Sequence, residues 1–134
     1  MTDGKRSISL PEVLARHHAW AEGLEHGVRA EFTSVNLDEA DLSQADLRQA
    51  IFRLASMRGT RLENADLSGA ELHECDLYDA QLMETDLSGA ELTKTVLEEA
   101  NLTKALLLDA TARQTSFLSA RLVGARLVDR KSVV

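Results

Sequence analysis

The sequence predicts a repetitive solenoid on a non-helical backbone, with one short α-helix ahead of it. A large apolar residue recurs at every fifth position from Phe32 to Leu127, and only Ala112 interrupts this series of twenty. A period of five matches neither the 3.6 residues of an α-helix nor the 2.0 residues of a strand. The phase of the repeat never shifts, so we expect no inserted loop between Phe32 and Leu127.

The other positions of the repeat are also filled in a fixed order. A small residue, most often alanine, stands two positions before each apolar centre, and the remaining three positions are mostly polar. We therefore expect the small and central side chains to face inward, where stacked coils bury a core that no single coil could cover. The chain has only 7 glycines and 1 proline, too few turn formers for a conventional sandwich or barrel.

The pentads ADLSQ, ADLRQ, ADLSG, AELHE, CDLYD and ANLTK resemble the A-(D/N)-L-x-x motif of the pentapeptide-repeat family. Twenty in-phase copies cover about three-quarters of the chain. The resemblance implies an all-β fold, a right-handed quadrilateral β-helix with one pentad per side and four pentads per coil. Five coils, spaced like neighbouring strands, would form a column about 24 Å tall. A short capping helix precedes the repeats in many bacterial members that this chain resembles.

The chain divides into a tail with capping helix at residues 1–27, repeats at 28–129 and a tail at 130–134. Residues 9–26 have the pattern of an amphipathic helix, with a capping box of Ser9 and Glu12, Pro11 in the first turn and Gly27 to end it. We expect Trp20 to plug the first coil. The predicted apolar face consists of Leu10, Val13, Leu14, His17, Trp20, Ala21 and Leu24.

Composition limits the partners and the chemistry. A net charge of −7 argues against direct binding of nucleic acid or an anionic membrane. The single cysteine, Cys75, indicates a reducing compartment, and with no signal peptide or long apolar run we expect a cytoplasmic protein. A bacterial origin is what the family resemblance implies. The histidines lack metal-ligand spacing, and neither a phosphate loop nor a nucleophile elbow is present. We expect no enzyme activity, cofactor or metal, and a buried, unreactive Cys75.

Charge is banded along the predicted column. Residues 48–61 carry four arginines and no acid, residues 62–100 carry eleven acids and one base, and residues 101–134 carry six bases and two acids. These bands predict a basic ring, an acidic belt and a basic C-terminal end.

The leading functional hypothesis is a non-enzymatic scaffold whose flat faces dock another protein. At the level of the fold, the chain also resembles modules attached to bacterial secretion and effector-loading machinery. The candidate binding residues lie in the acidic belt: Asp76, Tyr78, Asp79, Glu98 and Glu99.

The alternative hypothesis is a DNA mimic. One branch of the family that this chain resembles imitates duplex DNA and binds type II topoisomerases such as gyrase, which protects them from quinolones. Duplex DNA carries about one charge per 1.7 Å, so a belt ~10 Å high corresponds to about six phosphates. The most acidic face offers four carboxylates and is interrupted by arginines.

Outward apolar residues become more frequent toward the C-terminus. Such clusters indicate interfaces, and they favour a homodimer through the C-terminal coils or coverage by the tail. The candidate residues for self-association are Leu106, Leu108, Leu118, Val123 and Val128.

Overall fold

The computed structural model describes residues 8–127 as one α-helix followed by a solenoid. Helix α1 spans Leu10–Ala21, and no regular strand follows it within the described residues. Instead, sixteen isolated parallel bridges join residues twenty positions apart, from Glu31 with Ile51 to Leu106 with Arg126. Each coil therefore takes twenty residues, and one bridge marks each five-residue side.

Backbone hydrogen bonds connect every coil to the next one. The N–H of Phe32 donates to the carbonyl of Ile51 at 2.7 Å, and the N–H of Ser34 donates to Arg53 at 2.9 Å. The N–H of Ile51 donates back to the carbonyl of Ala30 at 3.0 Å. The same three bonds recur along the column, so each side is a minimal parallel ladder.

A turn with a left-handed residue forms every corner. From Ser34 to Gly124, each fifth residue has a φ between 54° and 71°, the value that the third residue of a type II turn requires. Only four of these nineteen residues are glycines, which explains how the chain turns so often with so few of them. The acid before a centre supports the corner: Asp66 Oδ1, for example, accepts from the N–H of Ser68 at 3.0 Å.

The inward positions form one continuous core. The rings of Phe32 and Phe52 stack 4.9 Å apart, which confirms that residues twenty apart lie above one another. Where threonine replaces the inward alanine, its hydroxyl donates to a centre of the previous coil, as Thr60 does to the Leu37 carbonyl at 2.8 Å. Cys75 is buried as expected, and burial raises the pKa of its thiol to about 11.

Helix α1 is shorter than the sequence predicted. The Ser9 side chain accepts from the Glu12 N–H at 3.3 Å at its start, but the helix ends at Ala21 because Gly23, at φ +72°, turns the chain away. Leu24 therefore lies outside the helix and is 60% exposed, so its predicted place on the apolar face was wrong. None of the described residues forms a helix long and apolar enough to cross a membrane.

Gly27, which the sequence assigned to the helix end, has a different role. A Cβ atom at this position would lie 2.3 Å from the backbone nitrogen of Trp20. Only glycine lets the chain pass this close to the helix on its way to the first coil.

His17 rather than Trp20 closes the top of the first coil. Its side chain is fully buried, Nδ1 accepts from the Ala30 N–H at 2.9 Å, and Nε2 donates to the Arg48 carbonyl at 2.9 Å. In later coils the carbonyl at the equivalent position accepts a backbone N–H from the coil before it, as the Ser68 carbonyl does from Gln49. The first coil has no coil before it, so the Arg48 carbonyl accepts from His17 instead. Trp20 lies at the edge, half-buried, with its ring 5.4 Å from that of His17. The prediction for Trp20 was wrong because the site requires a donor and an acceptor.

We predict that acid weakens the fold through His17. Burial, opposed by the hydrogen bond to Arg48, keeps the pKa of His17 below its ordinary value of 6.5. As the pH falls below about 6.5, the unfolded chain binds a proton that the folded chain does not, and the free energy of unfolding decreases down to the lowered pKa. Urea denaturation across this range should show the decrease.

The His17→Gln variant should lose this part of the pH dependence, because an amide does not titrate there. The matched control His26→Gln, at an exposed position, should keep it. Identical pH profiles for the two variants would contradict the assignment.

A second prediction concerns the left-handed corners. Gly89 has φ +69° and no heavy atom nearer than 3.9 Å to an added Cβ, so Gly89→Ala introduces backbone strain without a clash. We expect it to lower the free energy of unfolding by about 1 kcal/mol. The neighbouring Ser88→Ala is the control and should change it by less than about 0.5 kcal/mol. Equal effects in chemical denaturation would show that the corners hold no strain.

Candidate protein-binding face

The stacking of coils gathers the five candidate binding residues of the acidic belt on one side of the column. Asp76, Tyr78 and Asp79 lie in one coil, and Glu98 and Glu99 lie in the next coil on the same side. A parallel bridge from Asp76 to Val96 and a 3.0 Å bond from the Asp79 N–H to the Glu98 carbonyl fix this register. We call these five residues the acidic face.

An arginine of the preceding coil is part of the same surface. Arg58 Nη1 lies 2.9 Å from Asp76 Oδ2, and its guanidinium lies over the Tyr78 ring, 4.6 Å from the ring centre. This cation–π contact and ion pair leave Tyr78 half-buried. The charge bands assigned Arg58 to a separate basic ring. The contact could have been predicted from the spacing instead, because Arg58 and Tyr78 are twenty residues apart and residues at this spacing lie above one another in adjacent coils.

The basic ring neutralises the upper part of the acidic belt in the same way. Arg53 Nη2 lies 2.5 Å from Glu71 Oε2, and Arg29 Nη2 lies 3.7 Å from the other oxygen of that carboxylate. The lower part differs: Asp79 and Glu99 form no ion pair with a described residue. Glu98 accepts a hydrogen bond from the Ser116 hydroxyl at 2.8 Å. Within the acidic face, Asp79, Glu98 and Glu99 therefore carry the negative charge that no described arginine neutralises.

The residues predicted for self-association fall into three groups. Leu118 and Val123 are exposed on the last described coil, 68% and 74% respectively. Leu106 and Leu108 are half-buried. Val128 lies outside the described residues.

One cluster has the donor types of a metal site. His18, Glu22 and Asp46 place one ligand atom each within 4.8 Å of one another, at the junction of α1 with the first coil. However, Arg48 Nη2 already lies 2.7 Å from Asp46 Oδ2 and 2.8 Å from Glu22 Oε1. The Arg48 guanidinium keeps the pKa of Asp46 far below its ordinary range, with help from His18. The cluster thus contains its own cation and acts as an ion-pair junction between helix and column.

This junction could not be predicted from the sequence, because His18 and Glu22 belong to the helix and its cap whereas Asp46 belongs to the first coil. His18 and Asp46 are 28 residues apart, and Nδ1 of His18 reaches Asp46 Oδ2 at 2.7 Å only after the helix docks. Spacing rules for metal ligands or ion pairs within one element do not cover such a case.

The repeat region matches a known family model. The model of pentapeptide repeats, described as eight copies, matches residues 30–69, 50–89 and 90–129. Among curated proteins, none matches this chain significantly.

Solved structures of pentapeptide repeat proteins are also similar. One from the Arabidopsis thaliana thylakoid lumen is 33% identical with a TM-score of 0.65, over 67% of this chain and 63% of that one. Rfr23 from the cyanobacterium Cyanothece 51142 is 30% identical with a TM-score of 0.46, over 72% and 63%. QnrB1, a plasmid-mediated fluoroquinolone resistance protein, is 19% identical with a TM-score of 0.38, over 73% and 65%.

The chain spans about 63% of the length of the first two of these proteins. The family match covers most of the present chain, in the region where parallel bridges join residues twenty positions apart. The chain therefore belongs to the pentapeptide repeat family, and its solenoid is a right-handed β-helix.

Proposed function

We propose that this chain is a non-enzymatic protein-binding scaffold that docks another protein on the outer faces of its column. The observation that carries this proposal is the closed core. Every central side chain from Phe32 to Leu107 is at most 6% exposed, so a ligand can approach only the outer surface or an end. A rigid, preformed surface also reduces the entropy that binding must overcome.

The acidic face is the first candidate for the contact. Tyrosine and arginine are enriched at the centres of interfaces, and Tyr78 with Arg58 supplies such a pair beside Asp76. Asp79, Glu98 and Glu99 add negative charge that would steer a basic partner toward this side. The expected partner is thus a protein with a basic surface that also offers an apolar contact to Tyr78.

Place and assembly complete the proposal. We place the chain in the bacterial cytoplasm, with secretion or effector-loading machinery as a candidate context. Self-association through Leu106, Leu108, Leu118, Val123 and Val128 stays a prediction. One similar protein comes from a thylakoid lumen, so fractionation of the native cell is the test of location.

We predict that the acidic face selects the partner. Protein captured from a native lysate by the immobilised chain should be lost when Glu98 and Glu99 are both changed to lysine, because the partner's basic surface is then repelled. The matched control changes Glu74 and Glu84 to lysine; these are exposed corner residues on two other sides of the column. Quantitative mass spectrometry of the captured proteins measures the difference. A partner lost equally in both variants, or in neither, would refute the acidic face.

The DNA-mimic alternative rests on the same carboxylates. Arg53 and Arg58 cover acids of the upper belt, which shortens the continuous negative surface that a gyrase would meet. We therefore expect no inhibition of gyrase supercoiling at micromolar protein, at low or moderate salt. Inhibition that disappears in the double lysine variant of Glu98 and Glu99 would instead support the topoisomerase-binding alternative.

A further inference from the structure

The C-terminal end of the described column is an open apolar recess. It has a volume of about 310 Å³ and is lined by Leu107, Ala110, Ala112, Phe117, Leu122 and Leu127. Leu127 is 54% exposed, although equivalent centres in the inner coils are buried. Ala112 contributes to the recess because it is the one small residue among the centres, and Phe117 lines the space without filling it.

The rim of this recess combines apolar and basic side chains. Leu118 and Val123 project outward beside it. Arg113, Arg121 and Arg126 lie on three different sides of the same coil and are exposed. None of the three forms an ion pair with a residue that the structure describes, whereas Arg53 and Arg58 of the second coil each have a carboxylate partner. The rim therefore has cationic binding capacity that the described residues leave unused.

The opposite end of the column shows how this chain covers such a surface. An amphipathic helix places the buried Val13 and His17 on the first coil. The residue that caps the C-terminal end of this helix is an acid, Glu22, which accepts from Arg48 on the side of the column at 2.8 Å. At this end, therefore, an apolar helical face and a carboxylate bound to an arginine together cover the end of the column.

We propose that the C-terminal end is a docking site for an acidic amphipathic helix of another protein. The apolar face of that helix would enter the recess, and its carboxylates would reach Arg113, Arg121 and Arg126. This inference rests on the proposed scaffold function and assigns a second, separate surface to it.

Charge distinguishes this occupant from two others. A two-fold contact between copies of the chain would bring two sets of three arginines together. The side chains of the segment after Leu127, VDRKSVV, include two bases and one acid, so they offer a single carboxylate to the three arginines of the rim. An acidic helix is the occupant that complements both the recess and its rim.

The test uses the full chain and three designed helical peptides of about 15 residues. One has leucines on one face and glutamates on the other, the second has lysines in place of the glutamates, and the third has the leucines spread around the helix. Fluorescence anisotropy should show binding of the first peptide and at least tenfold weaker binding of the other two. Methyl NMR shifts caused by the first peptide should centre on Leu107, Leu122 and Leu127.

Variants of the rim complete the test. Arg121→Glu combined with Arg126→Glu should weaken binding of the glutamate peptide at least tenfold, whereas Arg61→Glu, an exposed arginine of the second coil, should change it less than twofold. Circular dichroism spectra that match the unaltered chain would show that the variants fold. Equal binding of glutamate and lysine peptides, or unaltered binding after rim reversal, would overturn the proposal.

Two further outcomes would replace it with another occupant. If sedimentation shows a dimer that dissociates when Leu118 and Val123 are changed to serine, a second copy covers the end. If Val133→Ser with Val134→Ser raises peptide affinity tenfold, the chain's own tail covers it. The pull-down with Glu98 and Glu99 variants tests the other surface, so failure here leaves that result intact.

Discussion

Backbone hydrogen bonds between coils link each centre to a carbonyl nineteen positions ahead, and every other feature of the column must satisfy that register. The donation from Phe32 to Ile51 is the first of a series that continues through Leu107. A single inserted residue would shift all later side chains off their inward or outward positions. The five-residue period is thus strict because the hydrogen bonds between coils require it.

The same ladder explains why so many non-glycine residues occupy the left-handed region. A residue such as Leu54, at φ 57°, would ordinarily avoid this conformation. Its own N–H donates to the His73 carbonyl at 3.0 Å, and the following Ala55 donates back to Phe52 at 3.2 Å. These hydrogen bonds on both sides of the corner hold Leu54 in the left-handed conformation and offset its local backbone strain.

An end of the column is a place where the ladder lacks partners. At the first coil, His17 supplies both an acceptor for Ala30 and a donor for Arg48, and so replaces a missing coil. This requirement explains why a buried position in an apolar helix face carries an imidazole rather than a leucine. It also explains why neutral His17 is needed, since a protonated ring could not accept from Ala30.

The sequence was sufficient for those features that the repeat alone determines, namely the inward positions and the buried Cys75. It was insufficient where one side chain serves two elements. The helical periodicity assigned His17 to the apolar face. It could not show that His17 also forms hydrogen bonds with the Ala30 N–H and the Arg48 carbonyl. The charge bands placed Arg58 and Asp76 in adjacent coils. Their ion pair joins residues eighteen positions apart, however, and this contact follows from the register of the folded coils rather than from the charge pattern.

The two candidate surfaces are physically independent because contacts in a solenoid join only neighbouring coils. The acidic face lies on one side of the third and fourth coils, while the recess with Phe117 and Leu127 lies at the end of the fifth. Their charges also have opposite sign, so one partner surface cannot complement both. A basic partner on the side and an acidic helix on the end could bind at once, and neither contact needs a change in the column. Under the two proposals above, the column would bring two dissimilar partners together, and its rigidity would set the distance between them.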